Sequence, residues 1–65
     1  MFGTRLKELR IEKNLTQKQL AEQLGYNQSM ISFWEKGINE PTETAIRKAA
    51  LFFQVSADYL LGLED

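Results

Sequence analysis

The sequence predicts an all-α fold, a compact domain of five short helices, and three observations lead to this class. Helix-capping residues recur before apolar segments along the whole chain, and Gly25, Gly37 and Gly62 follow three of them. No stretch alternates apolar and polar residues long enough to indicate a strand. The length of 65 residues fits one domain, expected to occupy residues 1–65 with a core from about residue 4 to residue 62.

The first two helices are expected on either side of a short turn. The first begins near Gly3 or Thr4 and ends near Asn14, and its apolar residues are Phe2, Leu6 and Leu9. The second begins at Thr16, which has the capping-box spacing to Gln19. Its inner face consists of Leu20, Ala21 and Leu24, and Gly25 is suited to the left-handed residue that ends a helix.

The third helix is expected between Asn27, a good N-cap, and Gly37. At 100° per residue, Ile31 and Trp34 form the inner face, and Met30 lies at its border. The outer side carries Ser29, Ser32, Phe33 and Lys36, with Gln28 at the exposed first turn. This outer side is nearly uncharged and includes an aromatic residue, which is unusual for a helix that faces only water.

The fourth and fifth helices are predicted from the same kinds of signal. Thr42 caps the fourth helix, with Glu43 favourably placed in its first turn. Its inner stripe is expected to be Ile46, Ala49, Ala50 and Phe53. Ser56 caps a short fifth helix that Gly62 terminates. Helices this short are unstable alone, so each must pack against the others.

Composition excludes several classes of function. The chain has no cysteine and no histidine, and it lacks a glycine-rich phosphate loop, so no catalytic, metal or cofactor site is expected and the protein is predicted not to be an enzyme. No apolar run approaches the roughly 20 residues of a membrane span, which predicts a cytoplasmic protein without membrane contact. The net charge of −1 argues mildly against nucleic acid. However, residues 1–39 carry six basic and four acidic groups, whereas residues 40–65 carry two and five.

Several motifs together resemble the Cro and cI-type phage repressors, the Xre-like helix-turn-helix family. They are LTQKQLAEQLG, NQSMISFWEKG, the Pro-Thr pair at 41–42 and QVSADYLLG. The resemblance as a whole covers nearly the entire chain, from Arg5 to Gly62. The resemblance implies a lambda repressor-like DNA-binding domain whose third helix lies in the major groove of double-stranded DNA, usually as a homodimer. It also implies an ion pair between Arg10 and Glu35 that orients the third helix.

The outer side of the third helix is then interpreted as the base-reading surface. Gln28 suits a bidentate contact to adenine, Phe33 suits thymine methyl groups, and Ser29 and Ser32 are less selective. The alternatives are that the polar residues are simply solvated and that Phe33 binds a partner protein or folds back on Lys36. The residues expected to contact phosphates are Gln17, Lys18, Asn27, Lys36 and Asn39, although Lys18 is equally well explained as a solvated lysine.

The dimer surface is predicted from apolar residues that the core cannot all accommodate: Leu51, Phe52, Tyr59, Leu61 and Leu63. The alternative is that Tyr59 and Leu61 merely close the core. Two features depart from the family pattern. The loop after Gly37, which commonly carries lysine or arginine, reads Ile38-Asn39-Glu40, and Gln54 replaces a common glycine. A sequence-specific transcriptional regulator, most simply a repressor on a palindromic operator, is the leading hypothesis. The second is a protein-interaction module on the same scaffold, resembling an antitoxin or antirepressor.

Overall fold

A computed structural model describes residues 1–64, and five α-helices form within this range. They are α1 Phe2–Glu12, α2 Gln17–Leu24, α3 Gln28–Lys36, α4 Glu43–Phe53 and α5 Ala57–Leu60. Helix α3 packs against α1 and α2, while α4 packs against α2 and α5. The all-α, five-helix prediction is therefore confirmed.

Local side-chain signals determine where four of the helices begin. Thr16, Asn27, Thr42 and Ser56 are the N-caps of α2 to α5, and each accepts a hydrogen bond from a backbone N–H of the first turn. At α2 the capping box is complete, because Gln19 Oε1 also accepts from the Thr16 N–H at 2.8 Å. These caps satisfy donors that a helix cannot satisfy itself.

Helix α1 begins earlier than the sequence indicates. It starts at Phe2, with Met1 as an N-cap whose side chain makes no hydrogen bond. The start expected near Gly3 or Thr4 is therefore one or two residues late, and tertiary packing takes the place of a side-chain cap. Phe2 is buried and packs edge-on against Trp34, with ring centroids 5.8 Å apart.

One core joins all five helices. Its buried residues are Phe2, Leu6, Leu20, Ala21, Leu24, Ile31, Trp34, Ala45, Ala49, Phe53 and Leu60. The α4 stripe differs from the prediction: Ala45 is fully buried, whereas Ile46 and Ala50 are only partly buried. The stripe follows the i, i+4 spacing of Ala45, Ala49 and Phe53, since α4 is rotated to bring small residues against the core.

Candidate nucleic-acid interface

Helix α3 is a short helix held firmly at both ends. Asn27 Oδ1 accepts from the Met30 N–H at 2.9 Å, and Gly37 ends the helix in the left-handed conformation with φ of 76°. Ile31 and Trp34 are buried, and Tyr26 packs edge-on against Trp34 with centroids 5.0 Å apart. The side that faces α1 and α2 is thus anchored, and the opposite side is presented to solvent.

The exposed side of α3 contains the residues expected to read bases. Gln28, Ser29 and Lys36 are exposed and Ser32 is half-buried. Phe33 retains 38% exposure and is the aromatic residue on this otherwise polar side. Glu35 carries the acidic group of α3 and is turned away from this side, with a side chain only 4% exposed. The solvent-facing surface therefore combines hydrogen-bonding groups with one apolar ring and has no negative charge.

An ion pair connects α3 to α1. Arg10 Nε donates to Glu35 Oε2 at 2.7 Å and Arg10 Nη2 donates to Glu35 Oε1 at 3.0 Å, a bidentate arrangement. Arg10 Nη1 also donates to the Leu15 carbonyl at 2.8 Å, which ties down the turn before α2. The hydrogen bonds that Arg10 donates to Glu35 raise the pKa of Arg10, against an opposing effect of burial, so the guanidinium stays charged. One side chain thereby connects α1, the turn and α3.

Gln17 belongs to the same network. It is the first residue of α2, and its amide nitrogen donates to Glu35 Oε1 at 3.0 Å. The sequence predicted a phosphate contact for Gln17 but not this bond to Glu35. The second amide N–H and the amide oxygen remain for another partner. The backbone N–H groups of Gln17 and Lys18 are not used by the capping box and have no acceptor within α2. They point out from the N-terminus of α2, where an anion is favoured.

The other residues expected to contact phosphates lie at the surface. Lys18 is exposed at the start of α2, Lys36 at the end of α3, and Asn27 at the start of α3. Asn39 is also exposed, but it lines a cleft with Phe2 and Trp34 on the α1 side of the loop after α3. The acidic Glu40 lines the same cleft. The positive charge available near α3 is accordingly small.

Comparison with known proteins identifies this arrangement. The pattern of the helix-turn-helix family matches residues 6–60, which is most of the chain. The chain belongs to the helix-turn-helix family. The resemblance to Cro and cI-type repressors is thereby confirmed, and α2 and α3 are the two helices of the motif.

Relatives and solved structures within the helix-turn-helix family are similar over nearly the whole chain. The HTH-type transcriptional activator BcrR of Enterococcus faecalis is 44% identical over 98% of this chain. The HTH-type transcriptional regulator ImmR of Bacillus subtilis is 36% identical over 98% of it. The P22 c2 repressor, crystallised with a synthetic operator, superimposes with a TM-score of 0.91 at 28% identity, covering 98% of this chain and 97% of that one.

The named relatives are transcriptional regulators, a class without enzymatic activity, in agreement with the prediction that the chain is not an enzyme. The chain spans 31% of BcrR and 50% of ImmR. Residues 1–64 contain no helix long and apolar enough to cross a membrane. Within the same residues, no group of three acidic, cysteine or histidine side chains is placed to hold a metal ion.

The residues expected to form a dimer surface do not share one location in this helix-turn-helix domain. Leu51 and Phe52 line a cleft beside the end of α2, whereas Leu61 lines a different cleft with Met1, Pro41 and Ile46. Tyr59 is half-buried beneath the guanidinium of Arg5, 4.2 Å from the ring centroid. Leu51, Leu61 and Leu63 are 80%, 39% and 73% exposed.

Sequence analysis missed the role of Gly3 in supporting the helix-turn-helix motif. Gly3 is buried inside α1, where it faces the backbone of α3 rather than a side chain. The signal in the sequence was that Gly3 directly follows the apolar Phe2 near the expected start of the first helix. Such a glycine also occurs in ordinary turns, and only the relative position of two helices distinguishes the two cases.

Proposed function

We propose that this chain is the DNA-binding domain of a transcriptional regulator, most simply a repressor, that binds double-stranded DNA sequence-specifically through α3 in the major groove. The observation that carries the proposal is the exposed side of α3, where a firmly capped helix presents amides, hydroxyls and an aromatic ring without a negative charge. An α-helix fits the major groove, where each base pair has a distinct pattern of donors and acceptors. The DNA-bound P22 c2 repressor has the same fold, which supports this function.

Base readout is assigned to four residues of α3: Gln28, Ser29, Ser32 and Phe33. Gln28 occupies the exposed first turn of α3, where an amide can pair with N6 and N7 of adenine. The exposed part of Phe33 suits the methyl groups of thymine. The half-site is therefore expected to include A·T pairs, each correct contact contributing about 1–3 kcal/mol of discrimination.

Phosphate contacts are expected to be few. Lys18 and Lys36 are the cationic candidates, while Gln17, Asn27 and Asn39 supply neutral donors and Glu40 opposes binding. Because Gln17 is already oriented by Glu35, its second N–H is suited to a phosphate without a further loss of side-chain freedom. A monomer with this little charge should bind weakly.

We infer that a homodimer provides the missing affinity on an inverted repeat, with half-sites roughly one helical turn, ~34 Å, apart. The exposed Leu61 and Leu63 are the better-supported dimer residues, because they extend from the short α5 beyond the core. Leu51 lies against a different cleft. The regulator is expected to act in the cytoplasm, on the nucleoid when bound.

Selection from a randomised duplex pool tests this function. We expect enrichment of an inverted repeat, with affinity for the selected duplex reduced by Gln28→Ala and Phe33→Ala. The matched control is Gln23→Ala, since Gln23 is an exposed glutamine on α2 that lines the cleft with Leu51. Equal, weak binding to every duplex would contradict the proposal. That result would favour the protein-interaction module, which the named relatives do not favour, and a binding assay through Phe33 would follow.

A further inference from the structure

The backbones of α1 and α3 approach each other most closely at Gly3. A Cβ atom at this position would overlap the carbonyl oxygen of Trp34. It would also lie 2.8 Å from the carbonyl carbon of Trp34 and 3.0 Å from Cα of Glu35. All three atoms belong to the α3 backbone, so no side-chain rotation relieves the overlap. Any side chain at this position must push the two helices apart, by roughly 1.5 Å or more to restore ordinary van der Waals contact.

This contact lies directly behind the surface assigned to base readout. Trp34 and Glu35 follow Phe33 in the same helical turn of α3, and Glu35 is the residue that Arg10 and Gln17 hold. Helix α1 thus supports α3 from behind at Gly3 and through the Arg10 guanidinium. Because a short helix moves as a rigid body, displacement at Trp34 also displaces the exposed side chains.

We propose that Gly3 is a positioning residue for DNA readout: the missing side chain at Gly3 sets how far α3 protrudes from the domain and therefore how its side chains meet the base edges. This inference rests on the proposed function. Binding groups must be held within about 0.5 Å of their productive geometry, which is less than the separation that a methyl group would impose. Phosphate contacts through long, flexible Lys18 and Lys36 tolerate such a displacement.

The test compares Gly3→Ala with the unchanged protein on two duplexes, the selected operator and an unrelated sequence. We expect the ratio of specific to non-specific affinity to fall at least tenfold in Gly3→Ala. The affinity for the unrelated duplex and its salt dependence should be unchanged. All affinities are measured at a temperature at which circular dichroism shows each variant to be folded.

Two control variants separate positioning from general destabilisation. Phe2→Leu weakens the same α1–α3 contact without inserting an atom between the backbones, because Phe2 packs on the Trp34 ring. Ala49→Gly weakens α4, which packs against α2 and α5. Both should retain the affinity ratio of the unchanged protein. An equal loss of the ratio in Phe2→Leu, or an unchanged ratio in Gly3→Ala, would overturn the proposal.

A stabilising second substitution allows the test to be made if Gly3→Ala alone does not fold. If this variant is unfolded, the comparison is repeated with Gln54→Gly, a remote change that relieves the left-handed residue after α4. A chain that remains unfolded there would show that Gly3 serves folding alone, which also overturns the proposal. Failure of the proposed function looks different, because the unchanged protein would then show no discrimination between the duplexes.

Discussion

Replacing Arg10 with methionine removes the cation that compensates a buried carboxylate. The Glu35 side chain is 4% exposed and accepts two of its three hydrogen bonds from Arg10. Removing one partner of a buried pair costs about 3–5 kcal/mol, because the other charge is left uncompensated. The Leu15 carbonyl also loses its donor, which adds up to about 1 kcal/mol. A 65-residue domain has about 3–10 kcal/mol of total stability, so Arg10→Met should be close to unfolding at room temperature.

Urea denaturation followed by circular dichroism measures this loss. The matched variant is the double substitution Arg10→Met with Glu35→Met, in which neither charge is buried. We expect the double variant to recover most of the stability lost by Arg10→Met, because an apolar pair of similar volume often replaces a buried ion pair without loss. Glu35→Gln should lie between them, since it keeps an acceptor for Arg10 but removes the charge.

The result that would refute this reasoning is a loss below about 1 kcal/mol for Arg10→Met with no coupling in the double variant. That outcome is characteristic of a solvent-exposed pair. The pH dependence provides a second check. The pKa of Arg10 is raised above its ordinary value, chiefly by the hydrogen bonds that Arg10 donates to Glu35. A raised basic pKa contributes stability below the unfolded-state value and loses it only as pH rises through the folded-state value, so Arg10 should contribute equally between about pH 6 and pH 9.

Three further predictions concern helix ends and charge. Gln54→Gly should raise the free energy of unfolding by about 0.5–1 kcal/mol, because Gln54 has a φ of 58°. Asn14→Gly, at the same φ, should raise the free energy of unfolding by less, because asparagine tolerates this conformation. Thermal melts of both variants test this order, and a lower stability of Gln54→Gly would contradict the prediction. Thr16→Ala should cost about 1 kcal/mol by breaking the capping box, measured by urea denaturation, and a cost near zero would be inconsistent with that bond. Operator affinity should depend weakly on salt, with a log–log slope of about −3 to −4 for a dimer using only Lys18 and Lys36; a titration giving a slope steeper than about −6 would require additional cations.

Local chemistry made much of the architecture predictable from the sequence. The caps at Thr16, Asn27, Thr42 and Ser56 all occur where they were expected. Each depends on a hydrogen bond between residues three positions apart, so neighbours in the chain contain the necessary information. The same holds for the inner and outer sides of α3, because Ile31 and Trp34 define the apolar side by helical periodicity.

Tertiary structure alone decided how the helices meet. The early start of α1 at Phe2, the burial of Ala45 and the amide bond from Gln17 to Glu35 all depend on residues distant in sequence. The separation of the predicted dimer residues, with Leu51 and Phe52 at one cleft and Leu61 at another, also depends on how distant parts of the chain pack. Gly3 is the clearest case. From the sequence, a glycine near the start of the chain indicates only a turn or the end of a helix. Its importance depends on the backbone of α3, which packs directly against it. Hydrogen bonds between near neighbours are specified locally, whereas the distance between two packed helices depends on every side chain between them.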